Sequence, residues 1–79
     1  MVTVELSIQS KSGKWMTKEI ACLRPNVGDD ILCDEEIFTV YAIALQTGEN
    51  KVLAKVTHEN ETKFSERKLR EMGFFLVGK

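Results

Sequence analysis

The strict alternation of apolar and polar residues at the start of the chain is the feature that most constrains its fold. Every even position from Val2 to Ile8 is apolar and every odd position from 3 to 9 is polar. This is the two-residue period of a strand with one buried and one solvated face. Gly13 follows in a polar stretch and suits the left-handed conformation that closes a three-residue hairpin loop. The chain is therefore predicted to begin with a β-hairpin.

The length of the hairpin loop decides which face of the second strand is buried, because a one-residue slip in register exchanges the faces. A two-residue loop, Ser12 and Gly13, would turn Trp15 inward. A three-residue loop that also includes Lys11 pairs apolar residues with apolar residues: Met16 with Ile8, Ile20 with Val4, and Cys22 with Val2. Only Lys18 is then out of character on the buried side. We prefer the three-residue loop, which places Trp15 on the outer face.

Two further strands are predicted in the middle of the chain. The third covers residues 30–33, and the acidic residues 34–36 form a solvated turn after it. In the fourth strand the apolar spacing is two up to Val40 and then three to Ile43. Such a jump indicates one extra residue near Tyr41 and Ala42, a β-bulge that lets a small sheet curl over on itself.

A turn at residues 46–50 and a fifth strand at residues 51–57 follow, and the chain then leaves the sheet for a short helix over residues 65–72. Ser65 can cap the first helical turn, and Gly73 can supply the left-handed residue beyond the last one.

Apolar residues flank this helix. Phe64 and Leu69 are spaced as a hydrophobic staple, and Leu69 and Phe74 as the apolar contact of a Schellman end. A helix of about two turns does not persist alone in water, so it must pack on the sheet. A last short strand is predicted over residues 74–77, with a frayed end at residues 78–79.

Five or six short strands and a late helix predict a mainly β fold, a small antiparallel barrel of the SH3-like kind. An OB-like barrel or an α+β roll is the alternative. The OB-fold usually places its helix between the third and fourth strands, where this chain leaves no room for one. With 79 residues, 43% of them hydrophobic, the chain is predicted to form a single domain over residues 1–79.

Charge and composition argue against several classes of function. Eleven basic and twelve acidic residues leave a net charge of −1, which gives no long-range attraction to nucleic acid or anionic lipid. No apolar run approaches the roughly 18 residues that cross a bilayer, and no signal peptide is seen, so a cytoplasmic location is predicted. Cys22 and Cys33 lack zinc-site spacing. They are expected to be reduced and buried on adjacent or facing strands.

No catalytic or metal-binding constellation is visible in the sequence. The acidic residues around the third strand lack the alternating ligands and central glycine of a calcium loop and indicate a solvated turn. His58 is the only histidine; it has no positioned nucleophile and is predicted to lie at the surface. The sequence therefore predicts a protein that is not an enzyme and needs no metal or cofactor.

The function that we expect is that of a small binding module acting through protein contacts, as an adaptor, an inhibitor or a subunit of a larger assembly. An outward Trp15 beside Thr17, with Tyr41 in reach, would give an aromatic anchor of the kind enriched where proteins meet. The alternative for Trp15 is that the helix or the last strand covers it. The sequence identifies neither the partner nor the oligomeric state.

A nucleic-acid-binding barrel is the alternative function. It would use basic residues near the first hairpin and the helix, with Trp15 or Tyr41 as a platform for base stacking. The residues concerned are Lys11, Lys14, Lys18, Lys63, Arg67, Lys68 and Arg70.

Overall fold

The computed structural model describes residues 1–45 and 50–77. Within them the fold is mainly β, a curled six-stranded half-barrel with one short helix. The elements are β1 (Val2–Gln9), β2 (Trp15–Cys22), β3 (Asp30–Cys33), β4 (Glu36–Leu45), β5 (Lys51–His58), α1 (Glu66–Glu71) and β6 (Phe75–Leu76). The predicted turn at residues 46–50 and the predicted frayed end fall largely on residues 46–49 and 78–79, outside the described residues.

The first hairpin has the predicted three-residue loop and the predicted register. Ile8 lies opposite Met16, and the pairing continues to Val2 opposite Cys22. The amide of Ser10 donates to the carbonyl of Lys14 at 2.8 Å and closes the loop. Gly13 has a φ of +92°, the left-handed conformation expected of it.

The second hairpin is tighter than predicted. Asp34 and Glu35 have φ values of 52° and 67°, so both central residues of a two-residue turn are left-handed, as in type I′. Glu36 already belongs to β4, where it pairs with Cys33. The predicted bulge in β4 is confirmed: Val40 pairs with Val56 and Ala42 with Lys55, which leaves Tyr41 as the extra residue.

The order of strands across the sheet is β3-β4-β5-β1-β2-β6, and the prediction of an all-antiparallel sheet is wrong for one pair. β1 and β5 pair in parallel, with Leu6 beside Ala54, whereas the other four pairings are antiparallel. The reason is the number of chain reversals. Each of the four connections from β1 to β5 reverses the chain, so the first and fifth strands run in the same direction.

The core fills the concave face of the curled sheet. It is built from the inward residues of β1 to β5 and is closed by the helix segment through Leu69, Met72 and Phe74. Leu69 and Phe74 are fully buried. Phe38 is also fully buried, and its ring lies 6.1 Å from that of Phe74 between centroids. The helix is therefore part of the folding unit and completes the core of a small domain.

The helix has the predicted caps at both ends. The Ser65 hydroxyl accepts a hydrogen bond from the amide of Lys68. At the other end the Phe74 amide donates to the Leu69 carbonyl at 2.9 Å and the Gly73 amide to the Arg70 carbonyl at 3.0 Å. These two bonds form the Schellman motif. The helix is one residue shorter at each end than predicted because Ser65 and Met72 are its caps.

Gly73 should be more sensitive to substitution than Gly28. Its φ is +95°, and a Cβ there would meet Lys18 Cε at 3.2 Å, whereas at Gly28, with a φ of +97°, a Cβ would meet nothing within 4 Å. A left-handed alanine costs roughly 1–2 kcal/mol. Gly28→Ala should lower the free energy of unfolding by about that amount, and Gly73→Ala by more because it also displaces Lys18. Urea unfolding of both variants measures the difference. Equal losses of unfolding free energy would show that the close approach of Lys18 to Gly73 does not contribute to stability.

Candidate protein-binding surface

Trp15 begins β2 on the outer face of the sheet, as the register predicted. Its side chain is half-buried, and it stands opposite Gln9 of β1. The Nζ atom of Lys55 lies over the indole, 5.3 Å from the ring centroid, a distance at which a cation is attracted to the aromatic face. Trp15 is thus neither fully exposed nor covered, and the ammonium of a lysine from β5 lies over its ring.

The last strand lies beside Trp15. Phe75 pairs with Thr17, Leu76 pairs with Met16, and the amide of Val77 donates to the carbonyl of Trp15 at 3.1 Å. Phe75 is 72% exposed and Val77 is 56% exposed. By register both share the outer face with Trp15 and Thr17. We call the surface formed by Trp15, Thr17, Phe75 and Val77 the Trp15 face.

The predicted set of partner-binding residues is only partly brought together. Trp15 and Thr17 are neighbours on β2, but Tyr41 is on β4, and β5 and β1 lie between them. Tyr41 is 49% exposed and lines a separate cleft of about 250 Å³ with Gln9, His58 and Lys63 among its walls. Local sequence patterns carry no distance between β2 and β4, so they could not separate the two aromatic residues.

Three residues of the Trp15 environment were not predicted as site residues. The outward position of Lys55 and Phe75 follows from strand alternation once the pairing strands are known, since Lys55 is opposite Ser7 and Phe75 is opposite Thr17. Val77 is placed by the Schellman turn. The turn buries Phe74 and directs the next residues along the edge of β2.

Lys18 occupies the inner side of β2 and is satisfied by two partners. Its Nζ donates to Asp34 Oδ2 at 2.8 Å and to the Met72 carbonyl at 2.7 Å. The hydrogen bond to Asp34 raises the pKa of Lys18. The same bond holds the pKa of the Asp34 carboxyl below its usual range. One ammonium group therefore joins the first hairpin, the turn between β3 and β4, and the end of the helix.

The remaining predicted basic residues lie at the first hairpin loop and on or beside the helix, and two of them have acidic neighbours. The hairpin loop does meet the helix, since the Lys11 amide donates to the Phe64 carbonyl at 2.7 Å and the Ser12 hydroxyl to Glu66 Oε2 at 2.8 Å. Lys63 and Lys14 line two different hollows. On the helix, Arg67 lies 3.8 Å from Glu71, Arg70 lies 3.9 Å from Glu66, and Lys68 is exposed.

The prediction that His58 lies at the surface is wrong. His58 is only 7% exposed, because it continues the inward series of β5 at the same parity as Val56. Its Nε2 lies 2.7 Å from Glu36 Oε1, and its Nδ1 accepts a bond from the Asn60 amide at 3.3 Å. The ring also meets Phe64 at 5.1 Å between centroids. These contacts make His58 part of the core packing.

The two cysteines are free thiols. Cys33 is buried and Cys22 is half-buried, and burial raises the pKa of both thiols. Both lie on inward positions of their strands, as expected, although β2 and β3 do not pair in the sheet.

Residues 1–45 and 50–77 contain no group of three or more His, Cys, Asp or Glu side chains placed to hold a metal ion. None of the helices in this part of the chain has the length and apolar character to cross a membrane.

No protein-family model, no curated protein and no solved structure matches this chain significantly.

The Lys18–Asp34 pair predicts a specific pH dependence of stability. Because the pKa of Asp34 is lower in the folded state, its contribution is present above about pH 4, the unfolded pKa, and is lost as the pH falls through the folded value. Because the pKa of Lys18 is higher in the folded state, its contribution is present below about pH 10 and is lost only above that. Between these limits the pair stabilises the fold.

Asp34→Asn is the test, since asparagine tolerates the left-handed turn and removes only the charge. The variant should be less stable than the parent at pH 7, and the difference in the free energy of unfolding should shrink as the pH falls below about 4. Urea unfolding from pH 7 to pH 2.5 measures it. A difference that stays constant over this range would contradict the pairing.

Proposed function

We propose that this protein is a small non-enzymatic binding module that contacts a partner protein through the Trp15 face. The observation that carries the proposal is the exposure of Phe75 and Val77 beside a half-buried Trp15. Contiguous apolar surface of this kind is uncommon on soluble monomers and marks interaction sites. Tryptophan anchors ringed by smaller contacts are also the usual energetic centres of protein interfaces.

The construction of the surface supports this function. Trp15 and Thr17 are carried by the best-paired hairpin of the sheet, and Phe74 is anchored in the core directly before the exposed residues. A surface on such rigid elements loses little conformational entropy on binding. Lys55 over the indole adds a positive charge at the rim, which favours a partner with an acidic residue near its apolar contact.

Nucleic-acid binding is the alternative that the test must separate. It is weakened by the engagement of Lys18 with Asp34 and Met72, and by the acidic neighbours of Arg67 and Arg70. Lys14 and Lys55 beside Trp15 are the residues that would still support it.

The proposal extends to the fold class and the compartment. A small barrel of the SH3-like kind is supported by the curled sheet and the bulge at Tyr41, with the parallel β1–β5 pair as a departure from an all-antiparallel barrel. A cytoplasmic location is supported by the two free thiols, since reduced cysteines are the rule in that compartment.

Trp15→Ala is the direct test, with Tyr41→Ala as a matched aromatic control on the separate cleft. Partners are captured from the native host with the parent protein, and the affinity of the purified partner is then measured for all three proteins. Trp15→Ala should weaken binding by about 2 kcal/mol or more. Because the indole is half-buried, the loss of unfolding free energy should stay below the roughly 3–5 kcal/mol of a core aromatic.

Two results would overturn the proposal. One is an unchanged affinity in Trp15→Ala, or an equal loss in Tyr41→Ala. The other is capture of nucleic acid whose retention falls steeply with salt, which is the signature of phosphate contacts and would establish the alternative function.

A further inference from the structure

Two strand edges of the sheet face each other without pairing. β3 pairs only with β4, and β6 covers β2 only at its first residues, Trp15 to Thr17. Among the described residues, no backbone hydrogen bond joins residues 19–22 of β2 to β3. We call the space between residues 19–22 and Asp30–Cys33 the gap.

The gap is closed at one end by a contact between two side chains and at the other end by the connection between the strands. At one end Lys18 of β2 reaches Asp34, directly after β3, at 2.8 Å. At the other end residues 23–29 connect the two strands. The half-barrel is therefore bridged at the gap by an ion pair and a loop where a closed barrel would have a ladder of backbone hydrogen bonds.

The groove at the gap is apolar at its base and open to solvent. It has a volume of about 400 Å³, and Cys22, Leu23, Ile31 and Leu32 are among its walls. Leu23 is 80% exposed and Leu32 is 72% exposed. Apolar side chains left in water on both sides of a groove favour an occupant that covers them.

The backbone of both edges is directed into the gap. The Val40 amide donates to the Asp29 carbonyl at 2.9 Å. Because antiparallel bonding alternates along a strand, the N–H and C=O groups of Asp30 and Leu32 point away from β4. On β2 the Val77 amide donates to Trp15, so by the same alternation Glu19 and Ala21 present their backbone groups to the gap.

The acidic residues around the gap favour a basic segment as its occupant. Asp29 and Asp30 line the groove against a single basic residue, Arg24, and Glu35 is exposed just beyond β3. A four-residue edge strand flanked by acids resists pairing with a second copy of itself. A basic strand would neutralise the same charges.

We propose that the gap accepts an extended segment of a partner protein, in which apolar and basic residues alternate, as an added strand on the free edge of β3. Its apolar side chains continue the inward row of Ile31 and Cys33. Its basic side chains lie outward beside Asp30 and Leu32. Main-chain bonds to Leu32 supply affinity and the alternating side chains supply specificity, as in other cases of strand addition. The site is separate from the Trp15 face and does not depend on it.

The probe is an acetylated eight-residue peptide of alternating valine and lysine, titrated into ¹⁵N-labelled protein. Amide signals of Leu32 and Ala21 should shift, and the Leu32 amide should gain protection from hydrogen exchange. Leu32→Pro removes a donor that β4 does not use, so it should weaken binding more than tenfold relative to Leu32→Ala, which keeps the donor. N-methylation of the peptide along one edge removes hydrogen-bond donors from the peptide and leaves the protein unchanged. This peptide should bind more than tenfold more weakly than the unmethylated peptide.

Three binding results would overturn the proposal: no shift of the Leu32 signal at millimolar peptide, equal binding of a valine–glutamate peptide, or equal binding of the N-methylated peptide. A fourth is dimerisation of the parent protein that Leu32→Pro abolishes, since the occupant of the gap would then be a second copy of the chain. Trp15→Ala should leave the peptide affinity unchanged. The proposed function and this inference can therefore fail separately.

Discussion

The bond from Lys18 to Asp34 and Met72 is the constraint on which the rest of the structure depends. A lysine on the inner side of a strand is costly unless its charge is paired and hydrogen-bonded. Here an aspartate from a turn and a helix-end carbonyl satisfy it at 2.8 and 2.7 Å. Lys18 and its two partners belong to three distant parts of the chain, so both bonds form together only when hairpin, turn and helix are all in place.

The candidate surface follows from this bridge. Gly73 can approach Lys18 because it has no Cβ, and its left-handed conformation ends the helix so that Phe74 enters the core. The next residues must then run along β2, where Val77 bonds to Trp15. A long apolar edge strand exposed to solvent would be an aggregation hazard. β6 is only two residues long and is fixed beside Trp15, so it forms a defined surface.

Local patterns in the sequence predicted local structure well, and contacts between distant residues poorly. Alternation and loop length were sufficient for the register that places Met16 opposite Ile8, and a change of spacing predicted the bulge near Tyr41 and Ala42. Strand alternation puts His58 on the inward side of β5, but its polar partner Glu36 is 22 residues away in the chain and its ring contact Phe64 belongs to the helix segment. The partners of Lys18 are likewise distant, and no single pattern connects them. The shared direction of β1 and β5 was within reach, since it follows from counting reversals, whereas their pairing depends on the order of strands in the folded sheet.

Native-state hydrogen exchange of Lys18→Met tests the central claim most directly, with Lys55→Met as the control because Lys55 is an exposed lysine outside the bridge. Methionine keeps the aliphatic stem and removes the charge. If Lys18 couples the three elements, the amides of Phe74 in the helix end and Glu36 in the second hairpin should lose protection together, and neither should change in Lys55→Met. Loss of protection at the helix end alone, or at neither amide, would contradict the account.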